Sequence, residues 1–125
     1  MRVGLNVLHL VPRETGGGEL YVRRLVPALL EASQDLELVV FTGREAYPSF
    51  EAEPWASEVE LVEVPVRSRS RPRRVLAEQT LLPGAARKAR VDLLHNVQNT
   101  APAVPRVPQV TTILDVIYKR YPETH

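Results

Sequence analysis

Five short runs rich in branched apolar residues, separated by segments long enough to be helices, constrain this 125-residue chain more than any other feature. They are Arg2 to Leu8, Leu36 to Thr42 (LELVVFT), Val59 to Val64 (VELVEV), Val91 to His95 (VDLLH) and Val107 to Leu114 (VPQVTTIL). A strand covered on both faces has no solvated side to make polar, so it reads as a nearly continuous apolar run. Strands that alternate with helices are joined by crossovers, which bring the chain back parallel. The expected fold class is α/β, a doubly wound, mostly parallel sheet with helices on both faces. The third run alternates apolar and acidic residues and stops at Pro65, which suits a strand near a sheet edge.

Between the first two runs, Val22, Leu25, Val26, Leu29 and Leu30 fall at helical spacing, with Arg23, Arg24 and Glu31 off the stripe. Pro27 removes one helical hydrogen bond and is expected to kink that helix. Residues 44–58, with Pro48, Pro54 and Trp55, read as an irregular or short helical connection. Val75 to Arg90 reads as a helix broken near Pro83-Gly84. Before it lies RSRSRPRR, residues 67–74, with five arginines in eight positions. Like-charge blocks are usually solvated, mobile loops; the functional alternative for Arg67 to Arg74 is a basic rim that attracts an anionic acceptor or a phospholipid surface.

Composition excludes several classes of function. The length suits one domain, residues 1–125. Sixteen basic against fifteen acidic residues leave a net charge of +1, which gives no reason to expect nucleic acid as a partner. The absence of cysteine rules out disulfides and thiolate metal sites and fits a reducing, cytoplasmic location. The opening MRVGLNVLHLVP lacks a cleavage-site pattern and reads as a core strand. No apolar run approaches the roughly 20 residues of a spanning helix.

The candidate site follows from the topology. In a doubly wound sheet, ligands bind outside the carboxyl ends of the strands, where strand order reverses. The polar residues after the expected strands are His9 and Gly16-Gly17-Gly18, then His95, Asn96 and Asn99, then Asp115. These are expected to converge on one crevice. Glycines lacking Cβ let backbone N–H groups approach a ligand where a helix start offers unpaired donors, which is chemistry for phosphate or carboxylate; the plainer reading is a simple turn. The dinucleotide fingerprint fits poorly, because Tyr21 stands where its third glycine belongs. A phosphate-binding P-loop is excluded, because the first lysine in the chain is Lys88.

Three stretches carry a resemblance. The opening MRVGLNVLHLVPRETGGGELYVRRLVPALLEA, the central RVLAEQTLLPGAARKARVDLLHNVQNTAP and the closing VPQVTTILDVIYKRYPE together resemble the amino-terminal domain of a family 4 glycosyltransferase of two-Rossmann-domain architecture. The central block is the most specific: E-Q-x-x-L-P, then D-L-L-H, then N-x-A-P recur in that order in mannosyltransferase-like and rhamnosyltransferase-like members.

The resemblance implies a Rossmann-like fold and a retaining transfer of a sugar from a nucleotide-sugar to a glycan or lipid-linked acceptor, with no cofactor and no required metal ion. It also implies that this domain receives the acceptor while a second domain holds the nucleotide. Gly17 and Gly18, and less closely Gly16, match the loop that lends N–H groups to the donor diphosphate. His9, His95, Asn96 and Asn99 are the candidates for acceptor or sugar contacts. Family members commonly carry T-x-H-D at the fifth strand, where this chain reads Thr112-Ile113-Leu114-Asp115. Leucine cannot donate or accept a hydrogen bond, so Asp115 is left as the candidate catalytic or sugar-binding residue, against its plainer reading as a capping aspartate. Against the family pattern the chain is expected to be a truncated amino-terminal half, incomplete at its carboxyl end, inactive alone and prone to self-association. Leu114 also keeps open a non-catalytic or degenerate Rossmann-like binding module. The location implied is cytoplasmic, with peripheral contact at the inner face of the membrane through the arginine run.

Overall fold

The structure, a computed structural model, describes residues 1–13, 17–97, 101–104 and 106–111. The elements run β1 (Arg2–Val7), α1 (Gly17–Ala32), β2 (Glu37–Thr42), α2 (Tyr47–Glu51), a 3-10 turn (Ala56–Glu58), β3 (Glu60–Glu63), α3 (Arg71–Lys88), β4 (Leu93–Asn96) and β5 (Gln109–Thr111). Among the described residues all strand pairings are parallel, and the order in the sheet is β3-β2-β1-β4-β5. The chain thus winds outward from β1 in one direction, returns through α3, and winds outward in the other. Strand order reverses between β1 and β4. This is the Rossmann-like architecture expected from the alternating runs, with β3, the strand of alternating apolar and acidic residues, at an edge.

Each face of the sheet has its own core because alternate residues point to opposite sides. On one face Leu5, Val7, Leu38 and Val40 pack with Val22 and Val26 of α1 and with Phe50 and Trp55. On the other, Val39, Phe41 and Leu94 pack with Ala77, Leu82 and Ala86 of α3. Gly4 belongs to the α3 face, where a Cβ would lie 2.8 Å from the Phe41 ring and 3.2 Å from Val91. The missing side chain is what lets the fully buried Phe41 ring lie across β1. The connection of residues 44–58 folds as α2 and the 3-10 turn, and the Phe50 and Trp55 rings meet at a centroid distance of 5.7 Å.

Three local expectations are corrected. First, α3 is not broken at Pro83-Gly84 but continues to Lys88. Pro83 forfeits one helical hydrogen bond, yet its ring is buried, so burial offsets the lost bond. Second, the arginine run is not a free loop. Its second half, from Arg71, is the first turn of α3, and its first half is tied down by Glu45, which accepts from the backbone N–H groups of Ser68 at 2.7 Å and Arg69 at 2.9 Å. Third, Gly17 and Gly18 belong to the start of α1, so the helix begins inside the triple glycine. Pro27 likewise sits within α1, which runs on to Ala32.

Gly84 yields a direct prediction. A Cβ there would meet nothing within 4 Å, and the position lies inside a helix. Gly84→Ala should therefore stabilise the chain by about 0.5–1 kcal/mol, through reduced freedom of the unfolded chain and better helix propensity. The urea midpoint of the two proteins measures it, and an unchanged or lower midpoint contradicts it.

Candidate functional site

At the reversal between β1 and β4 the sheet changes character. One row of residues in register across it reads Val62, Phe41, Asn6, Asn96, Thr111, apolar on the β3 side and polar from β1 onward. Asn6 is buried, and its Nδ2 donates to Asn96 Oδ1 at 2.7 Å and to Glu78 Oε2 of α3 at 3.0 Å. Its Oδ1 accepts the backbone N–H of Leu8 at 3.2 Å, which turns the chain out of β1. Asn96 is fully buried; its Nδ2 donates to Gln109 Oε1 at 3.0 Å and to Thr111 Oγ1 at 3.4 Å. These amides hold β1, β4, β5 and α3 together at the carboxyl end of the sheet.

The central E-Q-x-x-L-P and N-x-A-P motifs acquire a physical connection here. Glu78 faces Asn6, whereas the neighbouring Gln79 clamps the chain beyond β4. Its Nε2 donates to the Ala101 carbonyl at 2.9 Å and its Oε1 accepts the Ala103 N–H at 2.7 Å. Gln109 adds a bond from Nε2 to the Pro102 carbonyl at 3.1 Å. The two motifs are thus parts of one clamp, with Pro102 between its jaws.

His9 lies just beyond β1, mostly buried. Burial, assisted by the positive charge of Arg74, lowers its pKa to about 4, so the imidazole is neutral near neutral pH. No described residue hydrogen-bonds its buried Nε2. Arg74, in the first turn of α3, also donates from Nη1 to the Ser68 carbonyl at 3.4 Å. Burial lowers the His95 pKa as well. His95 shares the face of its register partner Leu5, the α1 side, while Asn96 shares the face of Asn6. The neighbours His95 and Asn96 are therefore separated by the sheet, as a period of two requires.

α1 starts at Gly17 and Gly18, and because it carries the chain back between parallel β1 and β2, its start lies at the end of the sheet where those strands finish. The first four N–H groups of a helix lack intrahelical partners, so they are donors open to an anion. Glu19 braces this corner by accepting the Arg13 backbone N–H and the Arg23 Nε–H, both at 2.8 Å. Burial pushes the Glu19 pKa up, but these bonds and the nearby arginine charges bring it below its ordinary value overall. Arg13 itself has φ of 71°, in the left-handed region that L residues seldom occupy, so this turn is held by more than local preference. Arg23 pairs with Glu53 at 2.6 Å, bonds Ser49 Oγ and lies 4.8 Å above the Phe50 ring.

Of the sequence-derived candidates, the structure brings His9, Asn96 and the start of α1 to the carboxyl end of the sheet at or beside the reversal. Gly16, Asn99, Leu114 and Asp115 lie outside the described residues. Asn6 had its signal in the sequence, a polar residue inside VGLNVL; Arg74 stood there only within the arginine run, Glu78 and Gln79 only within E-Q-x-x-L-P, and nothing marked Gln109. Among the described residues, no group of three His, Asp or Glu side chains is placed to hold a metal ion, and no helix is long and apolar enough to cross a membrane.

No curated protein matches this chain. The model of Glycosyltransferase Family 4 matches residues 15–123, from the triple glycine through the stretch beyond β5. That match spans most of the chain, and it agrees with the parallel sheet: this chain belongs to glycosyltransferase family 4.

Proposed function

We propose that the chain is the acceptor-side, amino-terminal half of a retaining glycosyltransferase that moves a sugar from a nucleotide-sugar to a glycan or lipid-linked acceptor, with no metal ion required. The observation that carries this reading is the position of α1, whose first residues, Gly17 and Gly18, stand at the carboxyl end of the strand where the sheet order reverses. Backbone donors fixed there suit the negative charge that grows on a departing diphosphate, because prealigned dipoles need not reorganise during reaction. Glycine keeps the approach open. His9, neutral and with Nε2 unsatisfied, is suited to a hydroxyl of the bound sugar or acceptor, and Arg74 beside it adds positive charge. Asn96 acts as a brace whose amide is already engaged within the chain. In the two-domain architecture on which this reading rests, a second domain supplies the opposite wall of the cleft. The proposed location is cytoplasmic, with the arginine run against the inner face of the membrane.

The test is release of nucleoside diphosphate from nucleotide-sugars by the protein as its gene encodes it. Gly18→Asp should lower kcat/KM about tenfold or more, since a carboxylate at a helix start repels the anion held there. Unchanged kcat/KM removes Gly18 from the donor site. Absence of both turnover and nucleotide-sugar binding in the unaltered protein would favour the second reading, a non-catalytic binding module, which Leu114 in place of the family's usual histidine supports.

A further inference from the structure

α3 presents two stripes at the carboxyl end of the sheet. Arg74 and Glu78, one turn apart, face His9 and Asn6, as already described. Arg73, Leu76 and Leu81 instead line an open cavity of about 440 Å³, closed on its other sides by Arg44, just beyond β2, and by Val66 and Arg67, just beyond β3. The cavity therefore lies on the same rim as the crevice, one helix stripe away.

Its chemistry is divided. Three guanidinium groups, all on exposed residues, surround an apolar wall of Val66, Leu76 and Leu81. Among the described residues, Arg44 and Arg73 take part in no ion pair. Arg67 feels the charge of Glu45, whose carboxylate also fixes the loop by accepting from the backbone N–H groups of Ser68 and Arg69; with Arg44 and Arg73 unpaired, the cavity keeps a net positive charge. Leu76 is 63% exposed and Leu81 46% exposed, unusual for large apolar side chains placed among arginines. A lone phosphate would leave the apolar wall unused; a neutral hydrocarbon would leave three cations unmatched. The volume falls within the roughly 300–1,000 Å³ typical of small-molecule pockets.

We infer that this cavity binds an amphiphile with a phosphate head and a hydrocarbon tail, the head among Arg44, Arg67 and Arg73 and the first methylenes along Val66, Leu76 and Leu81. Such a molecule seated here is anchored beside the crevice, as an acceptor must be; that role rests on the transferase reading, whereas the binding itself does not. Arginine suits the head because its planar fork pairs two phosphate oxygens at once. Each methylene moved from water to the apolar wall strengthens binding roughly fourfold.

The experiment is calorimetric titration of the 125-residue chain with decyl phosphate below its critical micelle concentration, alongside inorganic phosphate, decyl maltoside and vesicles of phosphatidylcholine and phosphatidylglycerol. Decyl phosphate should bind at least thirtyfold more tightly than either inorganic phosphate or decyl maltoside. The double variant Arg67→Gln, Arg73→Gln should weaken it at least tenfold, with an unchanged circular dichroism spectrum. Leu76→Ser should weaken decyl phosphate and leave inorganic phosphate unaffected. Equal affinity for inorganic phosphate, equal affinity for decyl maltoside, or indifference to the arginine substitutions overturns the inference. Binding to the vesicles alone overturns it too, since the patch is then a membrane-surface contact and not a pocket. Decyl phosphate binding as expected, in a protein that turns over no nucleotide-sugar, keeps the site and overturns the acceptor role.

Discussion

Replacing Asn96 with leucine should destabilise the 125-residue chain by about 3 kcal/mol, read as a lower urea midpoint with an unchanged slope. The side chain is fully buried, and leucine keeps its branched skeleton of heavy atoms but is larger, so overpacking adds to the cost of the lost hydrogen bonds. Asn6 loses the acceptor 2.7 Å from its Nδ2 and keeps a buried N–H with no partner, a penalty of about 1–3 kcal/mol. Gln109 and Thr111 lose a shared donor, but both are only partly buried and can turn toward water, so each contributes less. Against a total stability of about 5–15 kcal/mol for a domain, this is a large fraction. A loss below about 1 kcal/mol would mean that water replaces the amide and that the network is not what joins β1 to β4 and β5.

Acidification should weaken the fold already between pH 7 and pH 5, through a buried histidine. The folded pKa of His9 is lowered from 6.5 to about 4, by burial first and by Arg74 second. The unfolded chain therefore takes up a proton near pH 6.5 that the folded chain refuses until about pH 4. Stability from this residue is present in full above pH 6.5 and is lost as pH falls through that window. The slope rises to about 1.4 kcal/mol per pH unit below pH 6.5, so His9 alone should remove about 2 kcal/mol between pH 7 and pH 5. His95, whose pKa is also lowered by burial, adds in the same direction. Glu19 and Glu45, held below the ordinary glutamate range, weaken the fold only at lower pH. Urea unfolding at pH 7, 6 and 5 measures the slope, and His9→Gln should flatten it to the part due to His95. An unchanged slope in that variant would show that His9 is not the group responsible.

The same residues show how far the chain could be read from its letters. Among the described residues the five apolar runs became five strands, their described ends shifted by no more than two residues, because an apolar run between turn residues has few other uses in a covered sheet. The edge position of β3 was legible in the alternation of VELVEV. The continuity of α3 through Pro83-Gly84 was not, since local propensity argues for a break and only the burial of Pro83 in the folded chain outweighs it. The arginine run also misled: Glu45, distant in sequence, supplies the bonds that fix the loop at Ser68 and Arg69.

What the sequence determined by itself was the α/β class, the winding about a glycine-marked first crossover and membership of the glycosyltransferase family, because periodicity and motif order are properties of neighbouring residues. What only the tertiary structure decided was which polar groups meet. Strand alternation sends His95 and Asn96 to opposite faces, parallel register sets Asn6 beside Asn96, and the turn of α3 places Glu78 on one site and Arg73 on another. Those partners lie tens of residues apart along the chain, and burial, which decides whether an amide binds ligand or braces a strand, exists only once the sheet has closed.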